Sequence, residues 1–208
     1  MTKSAAPNLH RLAPVRAAEE RSRDLATTLG DLAADRGTLD VAIGSVGTPL
    51  GDLLIAVTPR GLVRLVYLEG GDRDSVLADL AARVSPRLAE SAKATAPWRR
   101  ELDEYFAHER SVFGDLRIDR RLMKPFARKV LTATARVPFG EVTTYGELAD
   151  RIGHPRAARA VGTALGSNPI PIVVPCHRVV RAGGDLGGYT GGPERKVFLL
   201  RLEGGEPR

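Results

Sequence analysis

FGEVTTYGELADRIGHPRAARAVGTALG, Phe139 to Gly166, is the stretch whose reading decides the fold of this chain. Thr144 and Glu147 stand in the S/T-x-x-E spacing of a capping box. There the hydroxyl accepts from a helical N–H and the carboxylate bonds back to the cap's own N–H. The spacing predicts a helix from Tyr145, ended by Gly153, His154 and Pro155. RAARAVGTALG predicts a second helix with Gly166 as its C-cap. Two short helices joined by a tight turn form a helix-turn-helix candidate, although many helical hairpins share this pattern and bind nothing. The second helix offers Ala157, Ala158, Ala160 and Gly162 around one long side chain, Arg159. A helix that reads base edges carries several polar side chains. A smooth face with a single cation suits close approach to a minor groove or backbone. It equally suits packing against another helix through the alanines.

Upstream, KPFARKVLTATARV reads as a helix with Pro125 near its start. Downstream, SNPIPIVVPCHRVV contains the only cysteine of the chain, Cys176. A lone cysteine is often a small buried hydrophobe. Here His177 adjoins it and is able to share its proton. Pro171 and Pro175 interrupt the apolar run, so it is not a plain central strand. Asn168 adds a side chain able to orient polar groups. On a regular strand residues 176 and 177 point to opposite faces. Communication between thiol and imidazole therefore needs irregular backbone or a bridging water. RAGGDLGGYTGG follows, with six glycines in twelve residues. It lacks the order of a phosphate-binding loop and reads as a tightly turning wall, or as an ordinary surface loop. Tyr189 and Thr190 project from it.

Residues 39–119 read as a small α/β unit. LDVAIGSV, DLLIAVT and LVRLVYL are strand-like, and GTPLG and PRG between them are turn signals, which predicts a three-stranded antiparallel meander. DSVLADLAARV and PWRRELDEYFAHE predict helices, the second with Pro97 near its first turn. No catalytic constellation is visible in this region. Residues 1–38 form an extension of nearly balanced charge. Leu25, Leu29 and Leu32 at i, i+4, i+7 suit one short amphipathic helix resting on the body. The expected division is thus 1–38, 39–119 and 120–208.

Over 208 residues the net charge is +6. It is owed to residues 120–208, where 15 Lys+Arg face 7 Asp+Glu. Such a bias is the electrostatic footprint of a polyanion binder. A single cysteine excludes an internal disulfide and any multi-cysteine zinc site. No run is apolar for long enough to make a membrane helix, and no secretory leader is evident. A cytoplasmic, nucleoid-associated protein is expected.

NPIPIVVPCHRVV followed by GGYTGG resembles the active-site signature of the O6-alkylguanine-DNA alkyltransferases. FGEVTTYGELA, HPRAARAVG and LLRLEG (Leu199–Gly204) match further segments of that family in the same order. The resemblance is close from about Lys124 to Gly204 and weaker over residues 39–119. It implies an α/β protein: a small N-terminal α/β domain with an antiparallel sheet, then a mainly helical C-terminal domain with a winged-helix-like helix-turn-helix. It implies Cys176 as the alkyl acceptor, His177 as its base through a water, Glu203 orienting the histidine and Asn168 bracing the turn. Tyr145 becomes the hydroxyl donor to a flipped guanine and Arg159 the finger filling the vacated duplex, with Ala158 and Gly162 facing the groove. Pro171, Val179, Tyr189 and Thr190 become pocket walls. The implied partner is duplex DNA carrying alkylated guanine, bound by a monomer, with clustering on DNA left open and no cofactor or metal. Three rivals stay in view: a Cys-His-Glu hydrolase, a non-catalytic lesion binder and a helix-turn-helix transcription factor. Each answers to a different observation, respectively ester turnover, loss of the acceptor thiol and a sequence-specific footprint.

Overall fold

The computed structural model describes residues 13–68, 72–114 and 116–204. The first twelve residues of the expected extension lie outside the described residues. Strands β1 (Val41–Val46), β2 (Leu53–Thr58) and β3 (Gly61–Tyr67) form the antiparallel meander read from their turn signals. A fourth strand, β4 (Leu88–Glu90), pairs parallel to β1 and gives the order β3-β2-β1-β4. With only three residues it shows no alternation, so the pattern reading missed it.

Helix α2 (Arg73–Arg83) precedes β4, and α3 (Ala92–Phe106) follows it. Ser91 caps α3 by accepting from Ala94 N–H at 3.1 Å. Pro97 is thus the sixth residue of α3 rather than a first-turn proline. The reading was displaced because the true cap lies before KAT, outside the apolar pattern.

The long helix α1 (Ala13–Asp35) differs most from expectation. Leu25, Leu29 and Leu32 are exposed by 61%, 58% and 49%. The face that meets the body is polar and close. A Cβ on Gly30 would stand 1.7 Å from the Glu90 carbonyl oxygen, so only glycine admits this approach. Asp31 accepts from Ser91 Oγ at 2.5 Å and from Lys93 N–H at 3.1 Å.

The C-terminal region holds α4 (Pro125–Thr134), α5 (Tyr145–Arg151), α6 (Ala158–Gly166) and α7 (Pro193–Leu202). Pro125 occupies the first position of α4, where its missing N–H costs nothing. The capping box of α5 is complete, with Thr144 Oγ1 accepting from Glu147 N–H and Glu147 Oε2 accepting from Thr144 N–H. Gly166 is the last helical residue of α6 and Ser167 its cap, one position beyond the expected one. A short parallel pair, β5 (Thr143–Thr144) with β6 (Val179–Val180), ties the start of α5 to the segment after Cys176.

One apolar core runs through both regions. Leu53, Leu65, Trp98 and Leu102 share it with Val130, Leu148, Val161 and Leu199. A second cluster, Val41, Ile43, Leu54, Val63 and Leu80, lies between the sheet and α2. Fully burying each such side chain contributes about 1.5–3 kcal/mol, so the regions stabilise each other.

Candidate active site

Cys176 opens a single 3-10 turn, Cys176–Arg178, so the backbone here is indeed irregular. The approach to it is strained, with Ile172 at φ 71°. A β-branched residue in that region is a true outlier and needs support from its surroundings. Asn168 supplies it. Its carbonyl oxygen accepts from Ile170 N–H at 3.1 Å, and its amide donates to the Val174 carbonyl at 2.9 Å and to Cys176 Sγ at 3.2 Å. Burial nevertheless pushes the thiol up to about 11, against the opposing Asn168 bond.

His177 is wholly buried and bonds through Nε2 to Glu203 Oε1 at 2.8 Å. Glu203 also accepts both ends of the Arg178 guanidinium, at 2.7 and 2.8 Å, and the Tyr105 hydroxyl at 2.6 Å. Burial alone would raise this carboxyl. The His177 and Arg178 hydrogen bonds override it and hold the group at about 2. A carboxylate only accepts, so Nε2 carries the imidazole proton and Nδ1 is left as a lone pair. That atom is buried with no hydrogen-bond partner. Burial lowers the pKa of His177, against the raising effect of Glu203. The resting pair is therefore a neutral thiol and a neutral imidazole, with no direct bond between them.

Cys176 borders a cavity of about 660 Å³. Tyr145, Ala158, Arg159, Gly162, Tyr189 and Thr190 line it too, so the helix-turn-helix and the glycine-rich loop meet over the thiol. Tyr145, half-buried, has its phenol raised by burial, while the Gly188 backbone N–H bonds to its oxygen. The hydroxyl hydrogen is thus free to donate into the cavity. Arg159, the second residue of α6, is exposed at the mouth. Two expected walls are elsewhere. Pro171 lines a neighbouring cleft with Asn168 and Tyr67. Val179 is fully buried in β6.

Sequence reasoning missed Tyr105, Arg178, Arg181 and Lys196. Arg178 was visible in PCHR but carried no signal of its carboxylate partner. Arg181 lines the cavity from the loop. Lys196 is buried and donates to the carbonyls of Val179, Leu186 and Gly188, pinning that loop. Burial pulls it down to about 8, while three carbonyls match the three N–H groups of an ammonium. Among the described residues no group of three or more His, Cys, Asp or Glu could hold a metal ion, and no helix is long and apolar enough to cross a membrane.

A family model described as "6-O-methylguanine DNA methyltransferase, DNA binding domain" matches residues 125–205. The methylated-DNA–protein-cysteine methyltransferase of Shigella flexneri is 41% identical over 160 residues, 76% of this chain and 93% of that protein. The chain belongs to the methylated-DNA–protein-cysteine methyltransferase family. A relative of the same name in Methanosarcina acetivorans is 38% identical over 157 residues, covering 76% of this chain and 94% of its own length. The crystal structure of Mycobacterium tuberculosis OGT in complex with DNA superposes with a TM-score of 0.67 at 40% identity, covering 78% of this chain and 92% of that one. Methyltransferases of this family take DNA as partner and a protein cysteine as acceptor. This chain has one cysteine to offer.

Proposed function

We propose that this protein repairs O6-alkylguanine in duplex DNA by moving the alkyl group, once and irreversibly, onto Cys176. The observation that carries this reading is the joining of three groups around one cavity: the Cys176 thiol, the Tyr145 hydroxyl and the Arg159-bearing helix. In the reaction the S–C bond forms as the C–O6 bond breaks. The thiol proton passes through a bridging water to His177 Nδ1, whose unpartnered lone pair supports that route. Guanine leaves with developing negative charge, which the Tyr145 O–H stabilises by donating to it. Glu203 keeps the imidazolium paired.

The alkylated atom faces the major groove, whereas the small-residue face of α6 suits the minor groove. The two agree only if the nucleotide rotates out of the stack, at a cost of a few kcal/mol. Arg159 entering the vacated space would offset part of that cost. Residues 120–208 are read as the DNA-binding and acceptor region, residues 39–119 as its scaffold and residues 1–38 as an extension. The protein is read as acting as a monomer at the nucleoid.

A thioether has no carbonyl for water to attack, so the acceptor stays blocked. Titration with excess O6-methylguanine duplex should plateau at one equivalent, with one methyl on the Cys176 peptide by mass. Repeated turnover without added reductant would overturn the reading in favour of a hydrolase. Cys176→Ser should lose transfer and keep DNA binding.

A further inference from the structure

Tyr189 is a wall of the cavity that Cys176 borders, and the structure shows what stands behind it. Its ring meets the His177 ring edge-on, with centroids 6.3 Å apart. On its far side lies Tyr67, from β3 of the N-terminal sheet, with centroids 6.4 Å apart and the two hydroxyls 3.0 Å apart. Tyr67 is itself buried and clamped. The Arg195 guanidinium sits 4.3 Å over its ring and donates onward to the Leu50 and Gly191 carbonyls, each at 2.9 Å. Gly191 fills the angle between the two phenols. A Cβ there would stand 2.6 Å from Tyr67 Cε2 and 2.8 Å from Tyr189 Cε1. Real Cβ atoms do not approach so closely, so a side chain at 191 must displace a ring. Tyr67 is fixed by its strand and by Arg195. Tyr189 borders open cavity and is the ring that can move.

An alkyl group in transit must lie between the leaving oxygen and Cys176 Sγ, hence in the cavity that Tyr189 walls. We propose that Tyr67, acting through Tyr189, sets the size of alkyl group the site accepts, with Gly191 as the spacer that keeps the two rings in register. Tyr67 is a positioning residue: it lines a neighbouring cleft and stays off the cavity containing the thiol. This assignment rests on the alkyl-transfer reading above.

The test compares single-turnover rates on duplexes carrying O6-methylguanine and O6-benzylguanine. Tyr67→Ala opens room behind Tyr189, so the benzyl-to-methyl rate ratio should rise roughly tenfold, the scale of one methylene in an apolar pocket. Gly191→Ala drives Tyr189 into the cavity, so the ratio should fall by a similar factor. A purely structural role would lower both rates together in both variants. Tyr67→Leu, which keeps more of the apolar volume, serves if the alanine variant does not fold. An unchanged ratio in folded variants that still transfer methyl would overturn the inference. Absence of methyl transfer in the unaltered protein would instead defeat the underlying reading.

Discussion

Glu203 gathers donors from three parts of the chain: Tyr105 on α3, His177 and Arg178 on the acceptor turn, and more weakly the Gly140 N–H at 3.5 Å. Its folded pKa, about 2, lies below the ordinary 4.5. The carboxylate therefore stabilises the fold fully above pH 4.5, and that contribution is lost as the pH falls from 4.5 to about 2. The gap corresponds to about 3 kcal/mol. Urea unfolding at successive pH values should show this acid limb, and Glu203→Gln should flatten it. The same variant should lose about 3–5 kcal/mol at neutral pH, because the Arg178 guanidinium stays buried without its anion. A variant with an unchanged acid limb would show that other carboxyls carry it. At the acceptor, burial moves the thiol up to about 11 and the imidazole down. Both are neutral across the physiological range, so the single-turnover rate should be flat from pH 6.5 to 7.5, below the value of about 8 at which Lys196, which pins the loop, loses its proton. A rate rising tenfold per pH unit would mean that a free thiolate, formed without the imidazole, is the reacting species.

At the scale of elements, α6 carries its one long probe at its second position, where the helix start projects it into solvent. Arg159→Ala should leave the melting temperature unchanged, since no side-chain hydrogen bond or ion pair is lost. It should slow repair of duplex DNA roughly tenfold, a part of the few kcal/mol of unstacking. Alkyl transfer from the free base should stay as it was. Equal rates on duplex DNA would remove the finger from the reading. This pair of helices was legible because a capping box is local: four residues carry both partners. What the site kept hidden was hidden by distance along the chain. Tyr105 sits in an ordinary amphipathic helix, and nothing within it announces a carboxylate 98 residues away. The α1 leucines obey a helical period, but the period says only that a face exists. Gly30 and Asp31, polar or small, chose the face that docks.

For the whole molecule, a shared core and several bonds join the stretches on either side of residues 111–114. Leu65 N–H donates to the Pro169 carbonyl at 2.8 Å, Leu62 N–H to the Arg117 carbonyl at 2.9 Å, and Thr58 Oγ1 to Asp119 at 2.8 Å. Between α3 and that bonded stretch, Ser111, Val112 and Gly114 are exposed. A protease cut there severs the backbone in an exposed stretch and touches none of these links. The two pieces should co-elute on gel filtration under native conditions and still accept one methyl group per pair, parting only in denaturant. Pieces that separate in native buffer would show the seam to be weaker than its contacts indicate. The Tyr105–Glu203 bond gives the seam a further meaning. Fragments made separately should each be silent and should regain reactivity on mixing, because Glu203, the carboxylate that holds His177 and Arg178 of the acceptor turn, receives one of its hydrogen-bond donors from the other piece. Reactivity would then report that the halves have met, which makes the cysteine a covalent, one-time record of assembly.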